Sequence, residues 1–442
     1  MGFHPSRCQV LLMTNGNQAA RGVWRAYLGL VALILGYIGI YLCRKNFGVA
    51  IEGIREEFSA SNTTIALIGS VSTLAYAFGK IAWGPIVDSL GGKKGVLASI
   101  LLVCLFGALG GVAPTVTTLL VIYSLNRFSG SGAWGGMVKS TASWFPSSML
   151  GWAMGLLSLS FVFGGAIAVL IAGAISEITN SWRWVMGAPA CLTLLALLLC
   201  RVLVPDDTSA SEESECEGLK LKEGNKQGLV GQLLAYLKSP EFRHLFRERR
   251  FWIVCGLSFV LTMMRETFNT WTYDFLTVEG VGSSKIVRAV TSSAFDFSGG
   301  LGILAMGWAY DRLNDFWRRW VLVVLLGLLS VLLFFLNDIA GYSVAAAALG
   351  VGAVGILIYG PYSLLAGVFA IEVGGEARAA TTAGWVDALG YIGAAIAGVA
   401  FGAVLDQGGY GLGFKALAFV TMIASFLCLF VGDDGRSKKS KV

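Results

Sequence analysis

The sequence predicts an all-α membrane protein with twelve transmembrane helices in two six-helix bundles. Its 442 residues are 55% hydrophobic and only 14% charged, a composition that a soluble core cannot accommodate. Apolar segments near the roughly 20 residues needed to cross a bilayer recur along almost the whole chain. The pattern of residues 84–88 returns at 307–311, and Arg44 and Arg265 hold corresponding positions, which indicates duplicated bundles with a central site between them.

The twelve predicted spans are separated mostly by short polar loops. They are 27–51, 64–87, 96–113, 119–142, 151–175, 184–204, 252–277, 287–310, 320–336, 343–367, 381–405 and 414–431. The predicted domains are an N-terminal segment (1–26), a first bundle (27–204), a linker (205–250), a second bundle (251–432) and a basic tail (433–442).

Basic residues mark alternate loops. Arg21 and Arg25 precede the first span, Lys93 and Lys94 follow the second, and four Lys and Arg residues end the chain. Loops with an excess of Lys and Arg remain in the cytoplasm. Both termini are therefore expected on the cytoplasmic side.

Two adjacent cations lie near the end of the first span. One helical face carries two aromatic rings, a guanidinium group and a position without a side chain, from Tyr37, Tyr41, Arg44 and Gly48. A charge within a span is costly and usually serves a pathway, a counter-ion or a substrate. This face is typical of an anion site. The alternative is that Arg44 and Lys45 lie at the membrane edge and extend to water.

The loop after the second span combines glycines, a carboxylate and basic residues. It reads Gly84-x-x-x-Asp88-x-x-Gly91-x-Lys93, and Asp311-Arg312 follows the eighth span. This pattern resembles the cytoplasmic loop motif of the major facilitator superfamily. Glycine there permits close helix crossing, and the charged residues form and break ion pairs as the bundles move. We therefore interpret these residues as a gating motif.

A second set of motifs narrows the resemblance. It comprises Arg44-Lys45-Asn46-Phe47, residues 75–80, Arg265, Asp296 before two glycines, Gly360-Pro361 and residues 390–393. Together they resemble the organophosphate:phosphate antiporter family. The resemblance implies that Arg44 and Arg265, one from each bundle, hold a phosphate, because two guanidinium forks suit a tetrahedral dianion. It also implies that Lys80 is a third cation, with extension of its stem to water as the alternative.

Further candidates for substrate contact are Tyr41, Tyr76, Arg127, Trp134 and Tyr359. For Trp134 and Tyr359 the alternative is a packing role in an aromatic-rich chain. Two positions depart from the glycerol-phosphate and hexose-phosphate carriers of the family. Phe161 stands where those carriers have a histidine in the fifth helix, and Arg127 stands where they have a tryptophan in the fourth.

Two carboxylates, Asp296 and Asp387, lie within predicted spans. A lone buried carboxylate would be protonated, so each is expected to have a partner. We predict a salt bridge between Asp296 and Lys45 across the bundle interface, with a proton-carrying role as the alternative. Asp387 is assigned to coupling or to a salt bridge.

The function predicted from these observations is secondary transport of a small phosphorylated or other organic anion by alternating access, in exchange for inorganic phosphate. The alternatives are a sugar-phosphate sensor of the same family and a proton-coupled importer of a non-phosphorylated solute. The chain shows no nucleotide-binding loop and no metal-ligand pattern, so neither an enzyme nor a metal or other cofactor is expected. We expect a monomer in the lipid bilayer of a plasma, inner or organelle membrane, without nucleic-acid partners.

Overall fold

A computed structural model describes residues 16–145, 147–205, 247–313, 315–365 and 379–429. The described residues form thirteen helices. They are α1 (Gly16–Phe58), α2 (Asn62–Leu90), α3 (Gly92–Gly110), α4 (Val116–Gly130), α5 (Gly132–Trp144), α6 (Ser147–Thr179), α7 (Trp182–Gly187), α8 (Pro189–Leu203), α9 (Arg249–Val278), α10 (Lys285–Arg312), α11 (Asp315–Tyr342), α12 (Val344–Leu364) and α13 (Ala379–Cys428). Most of the predicted N-terminal segment, residues 206–246 of the predicted linker and the basic tail lie outside the described residues.

Hydroxyl side chains fix several helix starts. Ser61, Thr115 and Ser343 each accept a hydrogen bond from the backbone N–H three residues on, at the beginning of α2, α4 and α12. These bonds satisfy N–H groups that have no partner within the helix. The turns that carry these caps can therefore be short.

The described helices differ from the predicted spans mainly at their ends and breaks. The predicted span 119–142 is divided into α4 and α5 at Ser131, and the span 184–204 is divided into α7 and α8 before Pro189. Proline lacks the N–H that would continue the preceding helix. The span 381–405 lies within α13 and the span 414–431 begins in it, and the helical backbone of α13 is interrupted between them at Gly409 (φ 64°).

Many helices present large apolar side chains on their outer faces. Val202 and Leu349 are 79% and 75% exposed, and Phe419 is 69% exposed. Nine segments of the described chain are long and apolar enough to cross a bilayer. The chain is thus a multi-pass integral membrane protein whose outer faces suit lipid.

The N-terminal part (α1–α8) and the C-terminal part (α9–α13) meet along three helix pairs. α1 packs on α9, α2 on α13, and α6 on α10. Polar links join the two parts where α1 ends, which we call the Arg55 end. They are Arg55 Nη2 to Asp274 Oδ2 (2.8 Å), Thr63 N to Asp406 Oδ2 (2.9 Å) and Lys285 N to Glu177 Oε2 (2.7 Å). The site described next lies deeper, between the two parts.

Candidate anion-binding site

Three arginines from both parts of the chain converge on the carboxylate of Glu266. Arg44 on α1 and Arg265 on α9 approach Glu266 Oε1 through their Nη2 atoms at 3.2 and 3.1 Å. Arg127 on α4 donates from Nη2 to Glu266 Oε2 at 3.1 Å. The two arginines expected to hold a phosphate therefore meet at one oxygen atom. We call these four residues the arginine cluster.

The arginine cluster is buried yet retains free hydrogen-bonding capacity. The side chains of Arg44, Arg127 and Arg265 are 8%, 5% and 6% exposed, and that of Glu266 is 12% exposed. Among the described residues, Arg127 Nε and Arg265 Nε have no hydrogen-bond partner. Buried donors without partners are costly, so these N–H groups are suited to an additional acceptor such as a bound anion.

Tyrosine rings enclose the cluster. The Arg44 guanidinium lies 5.2 Å from the ring centre of Tyr41 and 4.8 Å from that of Tyr76, and Arg127 lies 5.1 Å from the Tyr76 ring. The Tyr391 ring lies 5.2 Å from the Tyr76 ring, and Arg265 donates to the Tyr391 hydroxyl at 2.7 Å. Ring faces attract cations and are less polar than water, so they hold the guanidinium planes while excluding solvent. Both predicted tyrosines, Tyr41 and Tyr76, thus contact Arg44.

A separate ion pair lies beside the arginine cluster. Lys45 Nζ donates to Asp296 Oδ2 at 2.8 Å, the pair expected from the sequence, and also to Asn269 Oδ1. Tyr359 donates from its hydroxyl to Asp296 Oδ1 at 2.8 Å. Tyr359 thus contacts the ion pair, and its contact with substrate stays a prediction.

A glycine of α6 makes room for Asp296. A Cβ built at Gly165 would lie 2.7 Å from Asp296 Oδ2, closer than real Cβ contacts. Any larger residue there would displace the carboxylate from Lys45. Gly165 thus leaves space for the ion pair at the interface of α6 and α10.

Lys80 lies on the side of the site away from the Arg55 end, which we call the Lys80 side. Its ammonium forms an ion pair with Asp387 of α13 and lies 5.4 and 5.1 Å from the ring centres of Tyr76 and Tyr391. The Lys80 side chain is 33% exposed. The pair therefore links the two parts of the chain across the tyrosine rings, and Tyr76 separates Lys80 from Arg44.

A cavity of about 270 Å³ adjoins Lys80 and is lined also by Trp83, Trp134 and Gly135. Trp134 packs against Tyr37, with 5.7 Å between the ring centres. Phe161 lies behind Trp134, at 6.5 Å between rings. Trp134 thus lines a cavity beside Lys80 and does not contact an arginine in the described contacts.

The gating-motif residues lie along and just after the ends of α2 and α10. Gly91 joins α2 to α3 at φ 87°, a conformation that favours glycine. Arg312 donates to the Trp308 carbonyl oxygen at 3.2 Å and lies over the Trp308 ring. Lys93 is half-buried at the start of α3. Gly84, Asp88 and Asp311 lie on α2 and α10, but their side chains are outside the described set.

Sequence reasoning missed Glu266, the residue at the centre of the cluster. A carboxylate directly after Arg265 in a predicted span was a usable signal, because an intramembrane charge requires a partner. Adjacent residues on a helix point in different directions, so the two side chains gave no indication of a shared site. Asn269, one turn later on α9, was also not singled out.

The profile of the Major Facilitator Superfamily matches residues 33–398 of the chain. The Bacillus subtilis (strain 168) "Glycerol-3-phosphate transporter" is 25% identical over 420 residues, covering 92% of both chains. A Chlamydia trachomatis "Probable hexose phosphate transport protein" is 24% identical and covers 94% of this chain and 92% of its own. The Escherichia coli "Membrane sensor protein UhpC" is 22% identical, with 92% of each chain covered. The resemblance to organophosphate carriers is thereby confirmed.

Solved structures show the same fold. A bacterial homologue of the human lysosomal transporter Spinster superposes with a TM-score of 0.73 at 14% identity, covering 91% of this chain and 96% of that one. The nucleoside transporter NupG gives a TM-score of 0.71 at 15% identity, covering 91% and 99%. With the profile match over most of its length, the chain belongs to the Major Facilitator Superfamily.

Proposed function

We propose that the protein is a secondary transporter that carries a small phosphorylated or similar organic anion by alternating access and exchanges it for inorganic phosphate. The observation that carries this proposal is the convergence of Arg44, Arg127 and Arg265 at one buried position between the two parts of the chain. The related glycerol-3-phosphate and hexose phosphate carriers support it.

The charge of the cluster suits a dianion. Three guanidinium groups and the Glu266 carboxylate leave two positive charges, since the neighbouring pairs Lys45–Asp296 and Lys80–Asp387 are each neutral. Guanidinium forks match the tetrahedral oxygens of a phosphate, and a phosphate ester carries close to two negative charges at neutral pH. The organic part of the substrate would occupy the cavity beside Lys80 and Trp134.

The architecture we propose has twelve membrane crossings in two six-helix bundles. Nine described segments are apolar enough to cross, and the last of them divides at Gly409 into two. The pair α4–α5 and the more polar α10 supply the remaining crossings. The basic residues at the chain ends and in alternate loops support cytoplasmic termini, with the Arg55 end on the opposite face.

The contacts between the two parts suit alternating access. The polar links at the Arg55 end separate the cluster from that face, whereas the cavity lies on the Lys80 side. Opening the face at the Arg55 end would require these links to break while the Lys80–Asp387 pair is kept and the gating motif closes the cytoplasmic side. We propose that the protein works as a monomeric carrier, without enzymatic activity, in a plasma or inner membrane.

Counterflow in reconstituted vesicles tests the proposal. Vesicles loaded with inorganic phosphate should take up labelled phosphate and organic phosphates, and uptake should require phosphate inside. Because one relative is a membrane sensor, a ligand that binds without flux would instead indicate a sensor. Uptake driven by an imposed pH gradient, without internal phosphate, would contradict phosphate exchange.

A further inference from the structure

Glu266 occupies the position where a bound anion would lie. Its two oxygens accept hydrogen bonds from Arg44 of α1 and Arg127 of α4, and Arg265 of α9 forms an ion pair with it at 3.1 Å. Glu266 itself belongs to the C-terminal part, and two of its three partners belong to the N-terminal part. The carboxylate therefore does in the ligand-free protein what a substrate anion would do, because it holds guanidinium groups of both parts together.

We propose that Glu266 is an internal counter-anion that sets the charge of the site, and hence its preference for dianions over monoanions. This inference rests on the proposed function and adds to it the residue that determines which anion charge is accepted. Glu266 is a specificity-determining residue in this view, and the substrate displaces its carboxylate from the arginines.

Arg127 and Glu266 form a compensating pair within the site. Arg127 donates to Glu266 Oε2, and its same Nη2 atom is 3.4 Å from Thr73 Oγ1. The pair adds no net charge to the two positive charges of Arg44 and Arg265. Removing Glu266 raises the charge of the cluster to three, whereas removing Arg127 lowers it to one. Removing both restores two.

The displaced carboxylate has polar space nearby. Glu266 lines two small cavities of about 20 and 30 Å³, and both are also lined by Gly69, Thr73 and Thr270. A cavity of this size holds roughly one water molecule. A carboxylate that leaves the arginines can therefore keep hydrogen bonds to water and to threonine hydroxyls, so that displacement by substrate does not leave it unsolvated.

The test is a series of variants with different site charge: Glu266→Gln, Arg127→Gln and the double variant. Binding of sulfate, a dianion at all relevant pH values, and of methanesulfonate, a monoanion, is measured by calorimetry on the purified full-length protein. Attraction scales with the charge of the ligand, so the dianion responds more than the monoanion. We expect Glu266→Gln to bind sulfate at least tenfold more tightly than the parent and Arg127→Gln to bind it at least tenfold more weakly.

The ratio of the dissociation constants for sulfate and methanesulfonate distinguishes an effect of site charge from a general loss of binding caused by damage to the fold. The preference for sulfate over methanesulfonate should be greatest in Glu266→Gln, intermediate in the parent and the double variant, and smallest in Arg127→Gln. A folded Glu266→Gln protein that binds sulfate no more tightly than the parent would overturn the inference, because it would mean that Glu266 only positions the arginines.

A second comparison covers the case in which Glu266→Gln alone does not fold. The double variant and Arg127→Gln differ only in the carboxylate, so the double variant must bind sulfate at least tenfold more tightly. Equal affinities would refute the role of Glu266. Failure of the proposed function is recognised separately, since the parent would then neither bind these anions nor exchange phosphate in counterflow.

Discussion

Lys45 and Asp296 form the most completely buried ion pair among the described residues of the site, with side chains 5% and 1% exposed. We predict that Asp296→Asn or Lys45→Met alone destabilises the protein by about 3–5 kcal/mol, because each leaves an uncompensated buried charge. Removing both should cost less than the sum of the two. Asn269 bonds to Lys45 and Tyr359 bonds to Asp296, so in the single variants each could still form a hydrogen bond with the residue that remains.

A double-mutant cycle measures the coupling between the two side chains. The free energy of unfolding is obtained for the parent, both single variants and the double variant by titrating mixed micelles with a denaturing detergent. We expect a coupling energy of about 2 kcal/mol or more, since adjacent charged partners in one network do not contribute independently.

The exposed pair of Arg183 and Glu57 supplies the matched control. Its side chains are 34% and 42% exposed, so the same cycle there should give about 1 kcal/mol or less. A coupling energy at Lys45 and Asp296 no larger than that of the control would refute the argument from burial.

Three further outcomes can be measured. Arg44→Lys and Arg265→Lys keep the charge but lose the fork, so each should lower phosphate affinity at least about tenfold while the protein elutes normally on size exclusion; normal counterflow by both would contradict the phosphate clamp. Phe161→His should introduce a titration near pH 6.5 into the affinity for sulfate, and the same step in the parent would point to a different proton-binding group. Gly135→Leu should slow exchange of bulky organic phosphates more than that of inorganic phosphate, because a Cβ at this position would have open space beyond its own helical turn and the added side chain enters the cavity. Equal effects on both would exclude the cavity as the site of the organic moiety.

The sequence was sufficient for those features that follow from helical periodicity and from duplication. Arg44 and Arg265 were placed at corresponding positions of the two halves, and both lie at the same carboxylate oxygen. The Lys45–Asp296 contact could be anticipated because a buried charge requires a partner of opposite sign. These inferences needed only local pattern and charge balance.

Helix ends were less accessible to sequence reasoning. α1 runs from Gly16 to Phe58, well beyond the predicted span 27–51. Hydropathy records which residues favour lipid, whereas a helix continues as long as its backbone hydrogen bonds do. Polar residues such as Glu52 and Arg55 can therefore extend the helix past the apolar segment.

The contacts of Glu266 could not be predicted from sequence pattern alone, because they join residues that are far apart in the sequence. Besides its neighbour Arg265, Glu266 bonds with Arg44 and Arg127, which are more than 130 residues away in the sequence. In the proposed charge balance, Arg127 adds a cation and Glu266 is the carboxylate that offsets it. Either residue alone would change the charge of the site, so the two are best understood as one unit whose function depends on their contact across the two parts of the carrier.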